Sequence, residues 1–388
     1  EKMDRRTLIK ALMGGLIFPV VPIKLEAAAK KLKRRLILIE LQGANDGLNT
    51  VIPYKDTNYK KLRPNIHLKN NELIPLENDL AFNHTMNQML DVWNTGDLAI
   101  ILGLGYPGAN RSHFKSIALW ETGGDGIKGV GRNGWLTDDI NGMDGKDKID
   151  AHGISLDGGM GVFASSDGRW ISMTSIRKFV TLKHHSMEKV ETKNPALALL
   201  LDRSNSLNSS MGQISKKLKT HKQDFKVRGQ ALGQQLHQAL KCIAAGVDAP
   251  VIKVSHGSFD THENQNYEHG KLLRQLSEAV FDTRKHLIDI GEWQNTIIMT
   301  YSEFGRRAHE NRSEGTDHGT AAPHFLIGGK IAGGFYGKQP SLSKLKDGDM
   351  IFSTDYRSIY DLVLGSWFSL SRNKFSDFHI PGLQKVFS

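Results

Sequence analysis

The sequence has very little cysteine and no long apolar run, and both absences limit what the protein can be. Cys242 is the only cysteine among the 388 residues, which excludes an intramolecular disulfide framework and metal sites built from clustered cysteines. The longest apolar run, residues 11–23, is shorter than the ~20 residues that span a bilayer. Since 39% of the residues are hydrophobic and 24% are charged, the composition is that of a globular protein.

The formal net charge is +10, and much of the basic excess lies in two short runs, residues 30–35 and 216–226. We interpret both runs as solvated faces, so we expect no nucleic-acid partner. No transmembrane span is expected after the first thirty residues.

The first thirty residues have the organisation of an export signal. Arg5 and Arg6 precede the apolar run, and Ala27-Ala28-Ala29 offers a small-residue cleavage site. We therefore predict a twin-arginine signal over residues 1–29, read by the twin-arginine export machinery, and a periplasmic or extracellular location. Two alternatives stay open: a basic amphipathic helix, and an uncleaved leader that tethers the protein to a membrane.

Short apolar runs alternate with helical periodicity through the rest of the chain. The predicted strands are residues 36–41, 98–102, 251–254, 296–301 and 325–327. The predicted helices are residues 112–122, 229–245, 270–290 and 355–370. This alternation predicts an α/β fold with a mostly parallel central sheet flanked by helices. We expect one domain over residues 30–388, with an insertion or cap at about 123–226.

Ligands of open α/β sheets bind beyond the carboxyl ends of the strands, and polar residues follow the predicted strands here. Metal-ligand types are Asp46, Asp260, His262, Glu303, Asp317 and His318. This mixed oxygen and nitrogen set suits a divalent ion such as zinc, manganese or magnesium. Asp260 and His262 are two residues apart and would share one face of an extended segment, although an Asx-capped helix start explains the same spacing. Asp317 and His318 are adjacent, so one of them would face away.

Ser112 is the best nucleophile candidate because it stands where a loop turns into a helix, whose first-turn amides favour an anionic intermediate. A simple N-cap role is the alternative. Arg111 and Arg306 offer guanidinium groups that bind an oxyanion in a bidentate way. Surface salt bridges are the alternative for both arginines.

Gly103, Gly105 and Gly108 match the glycine pattern of dinucleotide-binding folds, which makes an exported oxidoreductase a further alternative. Pro107 stands where that fingerprint already enters its helix, and no acidic residue ends a second strand about 20 residues on. Both features count against this alternative.

Five motifs in a fixed order carry a family resemblance. They are Gly43-Ala44-Asn45-Asp46-Gly47-Leu48-Asn49, Asn110-Arg111-Ser112-His113-Phe114, Phe259-Asp260-Thr261-His262, Ser302-Glu303-Phe304-Gly305-Arg306 and Asp317-His318-Gly319. With the twin-arginine leader, this set resembles the exported bacterial family known as domain of unknown function 1501. The family is placed near the alkaline phosphatase and sulfatase superfamily, so the resemblance implies an alkaline-phosphatase-like α/β sandwich.

The resemblance also implies roles for single residues. Asp46 resembles the first metal-binding aspartate of the superfamily, and Ser112 lies near the position of its nucleophile. Asp260 and His262 resemble an Asp/His metal pair that is usually spaced more widely, and His318 resembles the last histidine ligand. Glu303-Phe304 stands where Asp-His is common, which removes one histidine. No cysteine lies near Ser112, which disfavours a cysteine-derived formylglycine.

Three hypotheses follow. The first is an exported metal-dependent hydrolase of phosphate or sulfate esters that acts on an anionic small-molecule or polymer substrate. The second is a non-catalytic periplasmic binding or assembly protein with a degenerate site. The third is the dinucleotide oxidoreductase.

Overall fold

The computed structural model describes residues 34–182, 192–370, 374–379 and 382–387. The predicted leader, residues 1–29, lies outside these residues. From Arg34 onward the described chain forms one compact unit. No helix among the described residues is both long and apolar enough to cross a membrane.

The strands of the described chain are numbered in sequence order. They are β1 (Arg35–Leu41), β2 (Val51–Ile52), β3 (Leu73–Pro75), β4 (Ala81–Asn83), β5 (Leu98–Gly105), β6 (Gly153–Ser155), β7 (Trp170–Ser172), β8 (Val251–His256), β9 (Thr296–Tyr301), β10 (Ala322–Gly328), β11 (Gly334–Gly337), β12 (Leu345–Lys346), β13 (Asp349–Met350) and β14 (Thr354–Asp355).

The α-helices are numbered in the same way. They are α1 (Thr57–Leu62), α2 (Asn87–Asn94), α3 (His113–Thr122), α4 (Thr137–Gly142), α5 (Ile176–Phe179), α6 (Pro195–Thr220), α7 (Gln230–Ala244), α8 (Gln265–Asp289) and α9 (Arg357–Leu362). A π-helix, Val363–Trp367, continues α9.

The central sheet has the strand order β11-β5-β10-β9-β1-β8-β6-β7, with β14 also paired to β5. All neighbours are parallel except β10, which runs antiparallel to both β9 and β5. The predicted fold class, α/β with a mostly parallel sheet, is therefore confirmed. Because β5 and β9 both oppose β10, the carboxyl ends of β1, β5, β8 and β9 lie at one edge, together with the start of β10.

Alternate residues of β1 point into two different cores. Ile37 and Ile39 join a core that includes side chains from α2, α7 and α8, whereas Leu36 and Leu38 join one that includes α3 and the segment around α9. A parallel strand that is buried on both faces needs this continuous apolar run. The sheet is thus a middle layer between two helical layers.

Residues 123–226 supply β6 and β7, which extend the central sheet beyond β8. They also supply the 26-residue helix α6. The description of this region as an insertion or cap stays a prediction.

Candidate metal centre

Three ligand-type side chains meet where the loops after β5 and β8 approach the loop before β10. His113, Asp260 and His318 each offer a ligand atom, and these atoms lie within 4.8 Å of one another. The Nε2 atoms of His113 and His318 are 3.0 Å apart. Asp260 Oδ1 lies 3.5 Å from the first nitrogen and 3.2 Å from the second. In a tetrahedral zinc site whose ligand atoms lie ~2.1 Å from the metal, neighbouring ligand atoms are about 3.4 Å apart. The separations here are close to that value.

The outer nitrogens of the two imidazoles are held by acceptors. His113 Nδ1 donates to Glu303 Oε1 over 2.7 Å, and His318 Nδ1 donates to the Arg111 carbonyl oxygen over 2.8 Å. Since carboxylates and carbonyls accept only, the Nε2 atom of each neutral ring carries a lone pair toward the other ring. A positive charge, either a proton on His113 or a metal ion, is needed between them.

This arrangement fits a divalent metal. Ligating histidines usually donate their outer N–H to a carboxylate or carbonyl, which fixes the tautomer and the ring orientation. Two imidazoles and one carboxylate are a donor set that zinc and similar transition metals accept, and three protein ligands leave a position for substrate. Asp260 is 44% exposed at its side chain, so the centre is reachable from solvent.

The pKa values of the three groups follow from their neighbours. The hydrogen bond that His113 donates to Glu303 raises the pKa of His113, whereas burial lowers the pKa of His318. Burial acts to raise the pKa of Asp260, but the Arg306 guanidinium outweighs it and the net pKa is lowered. Asp260 is therefore an anion at neutral pH, as a metal ligand has to be.

His262 lies beside the three ligands and contacts two of them. Its Nε2 atom is 3.1 Å from His318 Nε2 and 3.0 Å from Asp260 Oδ1. Its Nδ1 atom is 3.5 Å from Asp317 Oδ1, and Asp317 is exposed. The structure thus brings His262 to the centre and places Asp317 behind it, facing the ring from outside.

Glu303 was expected among the metal ligands, but the structure places it behind His113. Its Oε1 atom accepts from the Gly43 amide as well as from His113, and its Oε2 atom accepts from the Ser302 hydroxyl. Both oxygens are occupied and the side chain is buried. Burial acts to raise the pKa of Glu303, and these hydrogen bonds reverse the effect. The residue therefore holds the His113 ring in position.

Asp46 was also expected to bind metal, and the structure places it apart from the cluster. It is fully buried, and its two oxygens form a bidentate pair with Arg63 at 2.5 and 2.9 Å. Gln265 Nε2 donates to the same carboxylate over 2.6 Å. This pairing favours a structural role, in which Asp46 also caps the short 3₁₀ turn Gly47–Asn49 through the Leu48 amide.

Arg306 was expected to hold a substrate anion or a surface carboxylate, and the structure corrects both expectations. Its side chain is fully buried. It donates to the carbonyl oxygens of Gly43, Ala44, Phe259 and Thr316, and to Asp260 Oδ1. Arg306 therefore ties three loops together beneath Asp260 and has no donor turned toward a substrate.

Ser112 and Arg111 stand at the rim. Ser112 occupies the N-cap position of α3, but its side chain makes no capping hydrogen bond, so the simple cap role is not what the structure shows. The Arg111 side chain pairs with Asp349, and its carbonyl orients His318. His113 belongs to one of the motifs but was not expected among the site residues, although it directly follows the predicted nucleophile.

Phe304 packs beside both imidazole rings of the cluster. Its buried ring lies 4.9 Å from both the His113 and the His318 ring, measured between centroids. The side chain thus supports two ligands instead of adding one.

The glycine pattern Gly103, Gly105 and Gly108 does not form a nucleotide-binding turn. Gly103 and Gly105 lie inside β5, and α3 begins only at His113. A Cβ atom on Gly103 would lie 2.1 Å from Ser353 Oγ, and one on Gly105 would lie 2.6 Å from Phe352 Cβ. The lack of a side chain at these two glycines leaves room for the segment that leads into β14. The glycines thus serve packing within the sheet, and the oxidoreductase alternative loses its structural basis.

The chain matches a known protein family over most of its length. Residues 102–368 match the family described as "Protein of unknown function (DUF1501)". The chain belongs to this family. The match spans more than half of the chain and contains every residue of the three-ligand cluster, which confirms the resemblance drawn from the motifs.

Two solved structures illustrate the more distant likenesses. The C-terminal periplasmic domain of EcEptC from Escherichia coli, in complex with Zn, aligns over 90% of this chain and 87% of that chain, with 9% identity and a TM-score of 0.42. The PsFucS1 sulfatase from Pseudoalteromonas sp. aligns over 93% of this chain and 73% of that chain, with 11% identity and a TM-score of 0.42. Neither likeness assigns a substrate to this chain. Among curated proteins, none matches it.

Proposed function

We propose that this protein is an exported, metal-dependent hydrolase of phosphate or sulfate esters. One observation carries the proposal. Two imidazole Nε2 atoms lie 3.0 Å apart beside an anionic carboxylate, and both rings donate their outer N–H elsewhere. Such a constellation brings two nitrogen donors and one oxygen donor together, which is what a divalent ion requires.

His113, Asp260 and His318 would hold the metal, and His262 is the residue placed to join them. A divalent ion in such a site supplies Lewis-acid activation and neutralises charge on a phosphoryl or sulfuryl oxygen. The ester class rests on the resemblance of the motif set, and export rests on the leader.

The chain's own contribution to the chemistry centres on Ser112. Its hydroxyl makes no capping hydrogen bond, and the next residue is the ligand His113. The first-turn amides of α3 stabilise negative charge at this end of the helix. Ser112 would therefore attack the ester or orient the attacking water, and the helix end would stabilise the developing anion.

Metal content is the first test. We expect the full chain to hold a divalent ion, and we expect Asp260→Asn to lose it. Asp282→Asn is the matched control and should keep the metal. Asp282 lies on α8, and its carboxylate is paired with Arg228. Glu303→Gln should weaken binding by about 10- to 100-fold without abolishing it, because it acts through His113. Equal metal in Asp260→Asn and Asp282→Asn would contradict the proposal.

Turnover is the second test, with aryl phosphate and aryl sulfate esters as probes. We expect activity that is lost on chelation and restored by adding metal. Ser112→Ala should reduce it by at least about 100-fold if Ser112 is the nucleophile. Unchanged turnover in Ser112→Ala would remove that role from Ser112 and leave the metal proposal in place.

A non-catalytic binding or assembly protein is the second candidate, and one observation favours it. The Arg306 guanidinium already neutralises Asp260, so the carboxylate has a partner without any metal. Absence of bound metal, together with stability that does not respond to chelator, would favour this candidate over the hydrolase.

A further inference from the structure

A short hairpin presents a carboxylate to two arginines beside the candidate metal centre. Strands β12 and β13 pair antiparallel around Asp347 and Gly348, and both turn residues have positive φ angles, 53° and 81°. Two-residue turns of this kind are the usual hairpin connection. The turn places Asp349 against Arg111 and against Arg307, whose Nε atom lies 3.7 Å from Asp349 Oδ1.

Both arginines are attached to the loop that carries His318. The Arg111 carbonyl oxygen accepts from His318 Nδ1, and the Arg307 amide donates to the Asp317 carbonyl oxygen over 2.9 Å. The hairpin is attached to the same loop, because the Thr320 hydroxyl donates to the Met350 carbonyl oxygen.

These two arginines differ from the other arginines near the site. Arg63 and Arg306 are fully buried, and their donors are used by carbonyls and carboxylates. The side chains of Arg111 and Arg307 are 40% and 34% exposed. Among the described residues, Asp349 is the carboxylate that each of them contacts.

One carboxylate oxygen of Asp349 lacks a hydrogen-bond donor. Its side chain is only 4% exposed, and its buried Oδ1 atom has no hydrogen-bond partner in the described chain. Burial raises the pKa of this carboxyl, although Arg111 and Arg307 oppose the effect. A buried carboxylate oxygen without a donor is destabilising, so a better anion can replace it.

We propose that Arg111 and Arg307 bind the tetrahedral oxyanion of a phosphate or sulfate ester, and that Asp349 occupies this site when no ester is bound. The proposal rests on the proposed function for its choice of ester. Such an oxyanion offers more acceptor oxygens than a carboxylate and can meet both guanidinium groups with charge-assisted hydrogen bonds. Its arrival would displace Asp349 from the two arginines.

The test is calorimetric titration of the full chain with inorganic phosphate, and separately with sulfate, after treatment with chelator. We expect Asp349→Asn to bind at least one of the two anions roughly three- to tenfold more tightly than the wild type. Asp282→Asn makes the same change in net charge and should leave the affinity unchanged. Which anion gains more identifies the preferred ester class.

Arg111→Gln and Arg307→Gln, each added to Asp349→Asn, should remove the gain. Asp349→Ser provides a second route if Asp349→Asn unfolds. An affinity equal to that of the wild type in both Asp349 variants overturns the proposal, and so does a gain that survives either arginine change. Metal content of the same preparations, measured before they are treated with chelator, separates the two ideas. A gain without bound metal supports the oxyanion site and removes the hydrolase, whereas bound metal without a gain does the reverse.

Discussion

At the scale of single residues, Glu121 shows how burial of a charged group sets a pH dependence. This residue lies near the end of α3, where burial and the nearby Glu40 raise its pKa from 4.5 to about 7, while Lys253 opposes the shift and Asp157 adds to it. Lys253 itself is paired with Glu40 and Asp157 at 2.7 and 2.5 Å. Glu121 is thus the third carboxyl beside a single buried cation.

We expect this group to make the folded state less stable as the pH rises. The unfolded chain releases the Glu121 proton near pH 4.5 and the folded chain releases it near pH 7, so the free energy of unfolding falls between these values. Glu121→Gln should remove this slope and add on the order of 2 kcal/mol at pH 8. Urea unfolding from pH 5 to pH 8 measures the effect.

The exposed Glu77 provides the matched control, because Glu77→Gln makes the same chemical change outside any buried cluster. Its stability profile should follow that of the wild type. Parallel profiles for Glu121→Gln and the wild type would show that the buried carboxyl does not titrate as described.

Several residue roles could be predicted from the sequence, and others could not. Asp260 and His318 follow the rule that ligands collect beyond strand ends, and both lie in the cluster. Asp46 follows the same rule but is paired with Arg63, a residue from the loop after α1. From the sequence, Arg306 is expected either to bind a substrate oxyanion or to form a surface salt bridge. The carbonyl oxygens that accept its hydrogen bonds come from loops that meet only in the folded protein, so the sequence does not show that Arg306 is buried.

At the scale of elements, the apolar runs predicted the central strands, which are buried on both faces, and missed the rest of the sheet. The predicted strands are β1, β5, β8, β9 and β10, and the missed strands are β6, β7, β11 and β14. The strand predicted at residues 296–301 matches β9 without change. β5 extends to Gly105, three residues beyond its prediction, because Gly103 and Gly105 interrupt the apolar run. Their place in the strand depends on the close approach of residues 352 and 353, and no local pattern indicates such a contact.

The loop after β1 gives an element-scale prediction. Gly43 has a φ of +105°, and a Cβ atom there would lie 2.4 Å from the Asp260 backbone nitrogen. Gly43→Ala should therefore strain its own backbone and push two site loops apart, with a loss of more than about 2 kcal/mol in the free energy of unfolding. Urea denaturation at constant pH measures the loss.

Gly96→Ala is the control that separates the two contributions. Gly96 also has a positive φ, +76°, but a Cβ atom there would meet nothing within 4 Å. It should cost only about 1 kcal/mol from backbone conformation. Equal losses in the two variants would mean that the loops after β1 and β8 are not as tightly packed as the structure has them.

At the scale of the whole molecule, the three proposed metal ligands come from segments that are far apart in the chain. His113 begins α3, Asp260 follows β8, and His318 precedes β10. The unfolded chain cannot hold three such distant donors together, so metal bound to the folded state has to stabilise the entire unit. The thermal stability of the folded protein therefore shows whether the site binds metal, and this measurement does not require the substrate to be known.

Free metal at 100 times its dissociation constant adds about 2.7 kcal/mol, which for a unit of this size raises Tm by roughly 4 °C. We expect scanning calorimetry at pH 7.5 to show this rise in the wild type and to lose it in His318→Asn. His286→Asn, which changes a histidine on α8 that binds the Lys226 carbonyl oxygen, should keep it. A rise of the same size in both variants would assign the bound metal to other donors, because of these two histidines only His318 belongs to the three-ligand cluster.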